Sequence, residues 1–194
     1  MSGSLPASSR SDPRSSSITI TSDMHSALFK KVTAYAVSDS RGNPTLAVIV
    51  DTDKGKTGGS KVPSGASTGI HEALELRDGD PKRLHGKSVD KAIHNVSSII
   101  GPALIAQKVV VTDQPAVDKY MIGMDGTANK SQLGANAILG VSMAAAVAGA
   151  AEKHIPLYKY LSHLSGDSRL QHPVPFFNVI NGGSHAGNPL DFQV

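Results

Sequence analysis

The feature that most constrains this sequence is a single change of hydrophobic period. Val32, Ala34 and Ala36, then Leu46, Val48 and Val50, alternate with their neighbours at period two, the spacing of half-buried strands. Between them Asp39-Ser40-Arg41-Gly42-Asn43-Pro44 is rich in turn formers, which predicts a β-hairpin. Asp53-Lys54-Gly55 offers a second turn, and a third strand is expected to end near Val62, before a Gly- and Ser-rich loop from Pro63 to Gly69. After Gly86 the spacing becomes helical. Val89, Ile93, Val96 and Ile100 fall on one helix face, with Ser88 as the expected N-cap. Further helices are predicted over Asp113–Met124, Asn136–His154 and Pro156–Leu164. Pro115 falls in the first turn of the first of these, while Gly126 and Gly166 lie beyond helix ends. Three strands followed by four helices make a small α+β domain.

This order leaves two segments outside the domain. Residues 1–23 contain eight serines in the first seventeen positions, with Arg10, Arg14 and the lone acid Asp12. Such a composition cannot bury enough apolar surface to order itself, so an unstructured tail is the favoured reading. A Ser- and Arg-rich, acid-poor start also matches an organelle transit peptide. The domain proper is expected over 24–166. From 167 to 194 a new element begins: Val174, Phe176 and Val179 suggest a buried strand, followed by the turn Asn181-Gly182-Gly183.

Composition narrows the function. The chain has 39% hydrophobic and 18% charged residues, well outside the disordered class. With only 4% aromatics and no Trp, aliphatic side chains must fill the core. The net charge of +3 is scattered, with no basic stripe of the kind nucleic acid requires. The uncharged run from Ala135 to Ala151 is short for a membrane span and rich in Ala and Gly, so it reads as a buried helix. Absence of cysteine excludes disulfides, thiolate metal sites and a thiol nucleophile, and fits a reducing, cytoplasmic setting. Two short motifs fail on spacing. His85-Gly86-Lys87-Ser88 resembles the end of a P-loop, but the preceding Gly79 stands too far away. His71-Glu72-Ala73-Leu74-Glu75 has Glu where a zinc protease needs its second His.

Six strings carry more weight: DSRGNPT (39–45), VPSGASTG (62–69), EALELRDGD (72–80), LGANAILGVS (133–142), PLYKY (156–160) and FNVINGGSHAGN (177–188). In this order and spacing the sequence resembles the enolases from about Lys31 to Gln193. The resemblance implies an N-terminal domain of three antiparallel strands and four helices, followed by an α/β barrel of about 250 residues. It implies Mg²⁺-dependent interconversion of 2-phosphoglycerate and phosphoenolpyruvate in glycolysis. Proton abstraction next to a carboxylate builds up negative charge, which metal ions must neutralise while a strong base acts. The superfamily's pairing of a Lys or His base with one or two Mg²⁺ is a known pattern.

Residue by residue, the resemblance implies Mg²⁺ ligation by Ser67 within a lid loop that includes Ser64, Gly65, Ala66 and Thr68. It implies substrate contact by His185 and Gln193, and a homodimer contact by Arg41. Where the family pattern continues Gln-Glu-Phe, Val194 follows Gln193, and Pro189 departs from the usual residue. The three carboxylates of the first metal, the lysine base and its opposing acid have no counterpart in these 194 residues. The sequence-based expectation is therefore an incomplete enolase, inactive alone. The rival expectations are a non-catalytic fragment that docks onto full-length enolase or another partner, and a degenerate product.

Overall fold

The structure is a computed structural model that describes residues 26–65 and 68–192. The predicted tail, Ser67 and Gln193 lie outside the described residues.

Three strands, β1 (Phe29–Ser38), β2 (Pro44–Thr52) and β3 (Thr57–Lys61), form one antiparallel sheet in sequence order. The expected turns close it. Gly42 and Gly55 take left-handed φ of 79° and 83°, which a Cβ would strain. In the first turn Asp39 accepts backbone hydrogen bonds from Arg41 and Asn43, both 2.8 Å. Register pairs Val32 with Val50, Ala34 with Val48 and Ala36 with Leu46, which puts the apolar residues of both strands on one face.

The helices cover that face. The predicted 89–100 helix is in fact three pieces, α1 (Asp90–His94), a π-helical segment (Asn95–Ile100) and α2 (Gly101–Ala106). Its apolar face is as expected, with Val96, Ile100 and Leu104 fully buried. Its cap is not. Ser88 makes no capping bond at this helix start. Asp78 does the capping from outside the helix: its two carboxylate oxygens accept from the Asp90 and Lys91 N–H groups at 2.8 and 2.9 Å. A carboxylate at this position also favours the helix dipole.

The remaining helices fall where the sequence places them: α3 (Gln114–Asp125), α4 (Ala135–Glu152) and α5 (Leu157–Ser165). Asp113 caps α3 through Ala116 N–H, and Gly126 and Gly166 end α3 and α5 in left-handed conformations.

Helix α4 is the spine of the domain. It is the one helix among the described residues long and apolar enough to cross a membrane, but most of it is buried inside the domain. Its small residues let the sheet approach: a Cβ built on Gly140 would lie 2.7 Å from Val48 Cγ2. On its other side Ala146 and Ala150 pack against Tyr160 of α5.

The predicted buried strand at 174–179 does not form. Residues 173–180 pair with no strand, and Val174, Phe176, Phe177 and Val179 are 75–94% exposed. A strand needs a partner for its backbone groups, and among the described residues this segment has none. It is followed by one 3₁₀ turn, Gly183–His185.

Candidate functional site

The residues around the 62–69 loop are organised by an extended segment, 72–78, that belongs to no strand or helix. One side of this segment is tied to α4. Asn136 mimics a strand partner: its Oδ1 accepts from Leu76 N–H at 3.1 Å and its Nδ2 donates to Leu76 O at 3.0 Å. Leu74 O accepts from Ala135 N–H at 2.8 Å. The EALELRDGD and LGANAILGVS segments thus satisfy backbone polar groups of one another.

The charged side chains of the same segment hold both ends of the loop. At the far end, Glu72 Oε2 accepts from Gly69 N–H at 2.9 Å. At the near end, Ser64 Oγ donates to Glu75 Oε1 at 3.1 Å and accepts from Arg77 Nη2 at 2.8 Å. Arg77 also pairs with Glu75 at 2.7 Å. Its other terminal nitrogen, Nη1, donates to Pro44 O at 2.6 Å and Lys87 O at 2.5 Å. One planar guanidinium thus joins the first hairpin, the 62–69 loop and the backbone ahead of α1, a task that suits the fixed fork of Arg and not the point charge of Lys.

Arg77→Met is expected to leave four acceptors short of a donor and to destabilise the domain by about 1–3 kcal/mol. Arg77→Lys should recover only part of that loss. Denaturant midpoints of the two variants check this, and equal stability of Met, Lys and wild type would contradict it.

A polar pocket of about 340 Å³ opens over this cluster, lined by Asp39, Arg41, Asn43, Ser64, Glu75, Arg77 and Lys87. Arg41 is exposed at its mouth. Lys87 Nζ donates to Asn43 Oδ1 at 2.9 Å. Desolvation opposes ionisation of Asp39, but the N–H donors of Asn43 and Arg41 prevail and hold its carboxyl below the usual range. Across the 72–78 segment lies a more apolar groove of about 390 Å³. Val62, Pro63, Ile122, Ile138 and Leu139 line it, with Glu72, Asp118 and Lys130.

The structure therefore brings together Ser64, Gly65 and Arg41, three of the expected residues, around one pocket. Thr68 is exposed beyond it. Ala66, Ser67 and Gln193 lie outside the described residues. His185 stands elsewhere in the sequence, exposed at the end of its 3₁₀ turn. That turn closes on itself: Gly183 N–H donates to Leu190 O at 2.7 Å, and Asn188 Nδ2 to Asn181 O at 3.0 Å.

Sequence reasoning missed Glu72, Glu75, Arg77 and Asn136 as individuals. The available signal was the alternation of Leu74 and Leu76 with Glu75 and Arg77. The failed P-loop resemblance is a left-handed turn here: Leu84, His85 and Gly86 have φ of 48°, 53° and 80°.

No group of three or more His, Asp or Glu side chains that could hold a metal ion occurs among the described residues. The described donors alone do not assemble the oxygen cage that Mg²⁺ takes.

Comparison with known families gives two matches. Residues 29–161 match the enolase N-terminal domain, and residues 169–194 match the enolase C-terminal TIM barrel domain. The first match covers the sheet, α1–α4 and the greater part of α5, including every residue of the polar pocket. The second begins four residues after α5 and takes in the exposed apolar segment and the His185 turn. With most of its length matched to one domain and the rest to the beginning of the other, the chain belongs to the enolase family.

Proposed function

We propose that this protein supplies the N-terminal domain to the Mg²⁺-dependent interconversion of 2-phosphoglycerate and phosphoenolpyruvate, in the cytoplasmic, glycolytic setting of that reaction. The observation that carries the reading is the match over 29–161, coinciding with a loop whose two ends are each held by side chains of the 72–78 segment. Those contacts fix where the loop leaves and rejoins the domain. In this reading Ser67 brings a hydroxyl to the metal, His185 and Gln193 contact the substrate, and Arg41 meets an acidic group of a second subunit. The carboxylate cage and the base come from a barrel of which this sequence holds 26 matched residues.

The test joins these residues to the barrel of an enolase relative and follows phosphoenolpyruvate formation. Turnover is expected in the fusion, and Ser67→Ala should lower kcat/KM at least tenfold, about 1.4 kcal/mol of barrier. A folded fusion indifferent to Ser67→Ala would remove Ser67 from the reaction.

A second reading has its own support. Phe176 is 94% exposed within an apolar run from Val174 to Ile180, a patch of the kind that marks an interaction site. A protein acting without catalysis would use it to dock onto full-length enolase. Co-purification that is lost in Phe176→Asp, with the fold intact, would favour this reading over the first.

A further inference from the structure

The sequence contains seven asparagines, and only Asn181 is followed by glycine. We propose that Asn181 is a site of spontaneous, enzyme-independent deamidation built into the 181–192 turn. The backbone nitrogen of Gly182 attacks Asn181 Cγ and loses its proton. The Cγ–Nδ2 bond of Asn181 breaks, ammonia leaves, and a five-membered succinimide remains. Water then opens either ring carbonyl, giving aspartate or isoaspartate. The sequence of steps consumes one water, releases one ammonia and involves no redox change.

Three features of the turn support this site. Asn181 is exposed, and glycine places no Cβ in the path of the attacking nitrogen. Asn178 Nδ2 donates to Asn181 Oδ1 at 2.6 Å. A donor on the amide oxygen draws electrons from Cγ and stabilises the charge that builds on that oxygen during attack, as an oxyanion donor does. Third, the reactive pair is enforced by packing. A Cβ at Gly182 would lie 2.2 Å from Phe192 O and 2.6 Å from Leu190 O, so no larger residue can replace this glycine without breaking the turn.

The other asparagines lack this combination. Asn43 and Asn188 precede proline, which has no N–H to lose. Asn95 and Asn136 are buried with their side chains bonded. Asn178 precedes the β-branched Val179, and Asn129 precedes Lys130.

Each event changes the formal charge from +3 to +2, one carboxylate replacing one amide. The isoaspartate product also lengthens the backbone at the carbonyl that now accepts from Asn188 Nδ2 at 3.0 Å. If the proposed function holds, this puts a negative charge in the turn that carries His185, where it opposes an anionic substrate. That consequence rests on the functional reading, but the chemistry does not.

The test incubates the full-length protein at neutral and mildly alkaline pH and maps the peptides by mass spectrometry, with isoaspartyl methyltransferase labelling. Modification should concentrate at Asn181, run several-fold faster there than at Asn129, and rise with pH. Asn178→Ala should slow it at Asn181 and leave Asn129 unchanged. Equal rates at Asn181 and Asn129, or an Asn181 rate indifferent to Asn178→Ala, would overturn the proposal. Because the readout is mass and not turnover, failure here is distinguishable from failure of the functional assignment.

Discussion

Gly58→Ala is expected to destabilise this domain by about 3 kcal/mol or more, a large share of a typical total stability of about 5–15 kcal/mol. The added Cβ would sit 2.2 Å from Ala144 O, 2.4 Å from Ala148 N and 2.8 Å from Ala148 Cβ. Two of these three are backbone atoms of α4, and a hydrogen-bonded helix in the core cannot bend away locally. The neighbouring Gly59 is the control. It lies on the exposed face of β3, and its Cβ would meet only Val48 O at 3.9 Å. Gly59→Ala should therefore change stability by less than about 1 kcal/mol. Thermal unfolding of the pair checks both, and equal midpoints would contradict the packing of α4 on β3.

Asp125→Ala should be the next most damaging change. Asp125 is 2% exposed, at the end of α3. Its carboxylate accepts from Leu133 N–H at 2.7 Å, from Thr127 N–H at 3.0 Å and from the Thr127 hydroxyl. These bonds fold the 126–134 loop back so that Leu133 O can accept from the buried Asn95 Nδ2 at 2.8 Å. Removing the acceptor strands buried donors, at a cost of about 2–4 kcal/mol.

The same group makes stability depend on pH. Burial alone would raise its pKa, but the N–H and hydroxyl donors of Leu133 and Thr127 outweigh that and lower it. Asp78 is lowered in the same way, burial being opposed by the N–H groups of Lys91 and Asp90 at the start of α1. A depressed folded-state pKa means that the unfolded state binds more protons. The stabilisation is therefore present above the ordinary carboxylate value and is lost as pH falls through the lower folded value. Urea midpoints should decline below about pH 4, and less steeply for Asp125→Asn, which cannot ionise. A variant as pH-sensitive as wild type would show that the dependence arises elsewhere.

Much of the fold was legible because local chemistry and tertiary need agree. Gly42 and Gly55 punctuate the hairpins where left-handed residues are required, and Asp113, Pro115 and Gly126 frame α3. Strand β3 was legible in its end point but not in its packing. It is TGGSK, without apolar alternation, and it packs through the missing side chain of Gly58. What could not be read were interactions between segments far apart in sequence. The cap of α1 comes from Asp78, twelve residues before its first N–H partner, so the adjacent Ser88 was the natural but incorrect choice. The 72–78 segment carries no ladder and no helix. Its partners are the side chain of Asn136 and the loop ends at Ser64 and Gly69, which periodicity does not report. The expected strand at 174–179 failed for the complementary reason: its apolar pattern is real, but the pairing it needs is not among the described residues.

The site divides along the same line. Ser64, Gly65 and Arg41 were identifiable as motif members, and the structure gathers them around one polar pocket. Arg77, which ties that pocket to the hairpin and to Lys87, was visible only as a letter in a matching string.

The central proposal is that residues 29–161 form an enolase N-terminal domain and that the cage and base of the reaction belong to the barrel, of which residues 169–194 match a part. Its most direct test incubates the purified protein alone with 2-phosphoglycerate and Mg²⁺ and follows phosphoenolpyruvate formation. The account predicts a folded protein with no turnover above background. Steady formation of phosphoenolpyruvate, proportional to protein concentration and lost in Ser67→Ala, would contradict it.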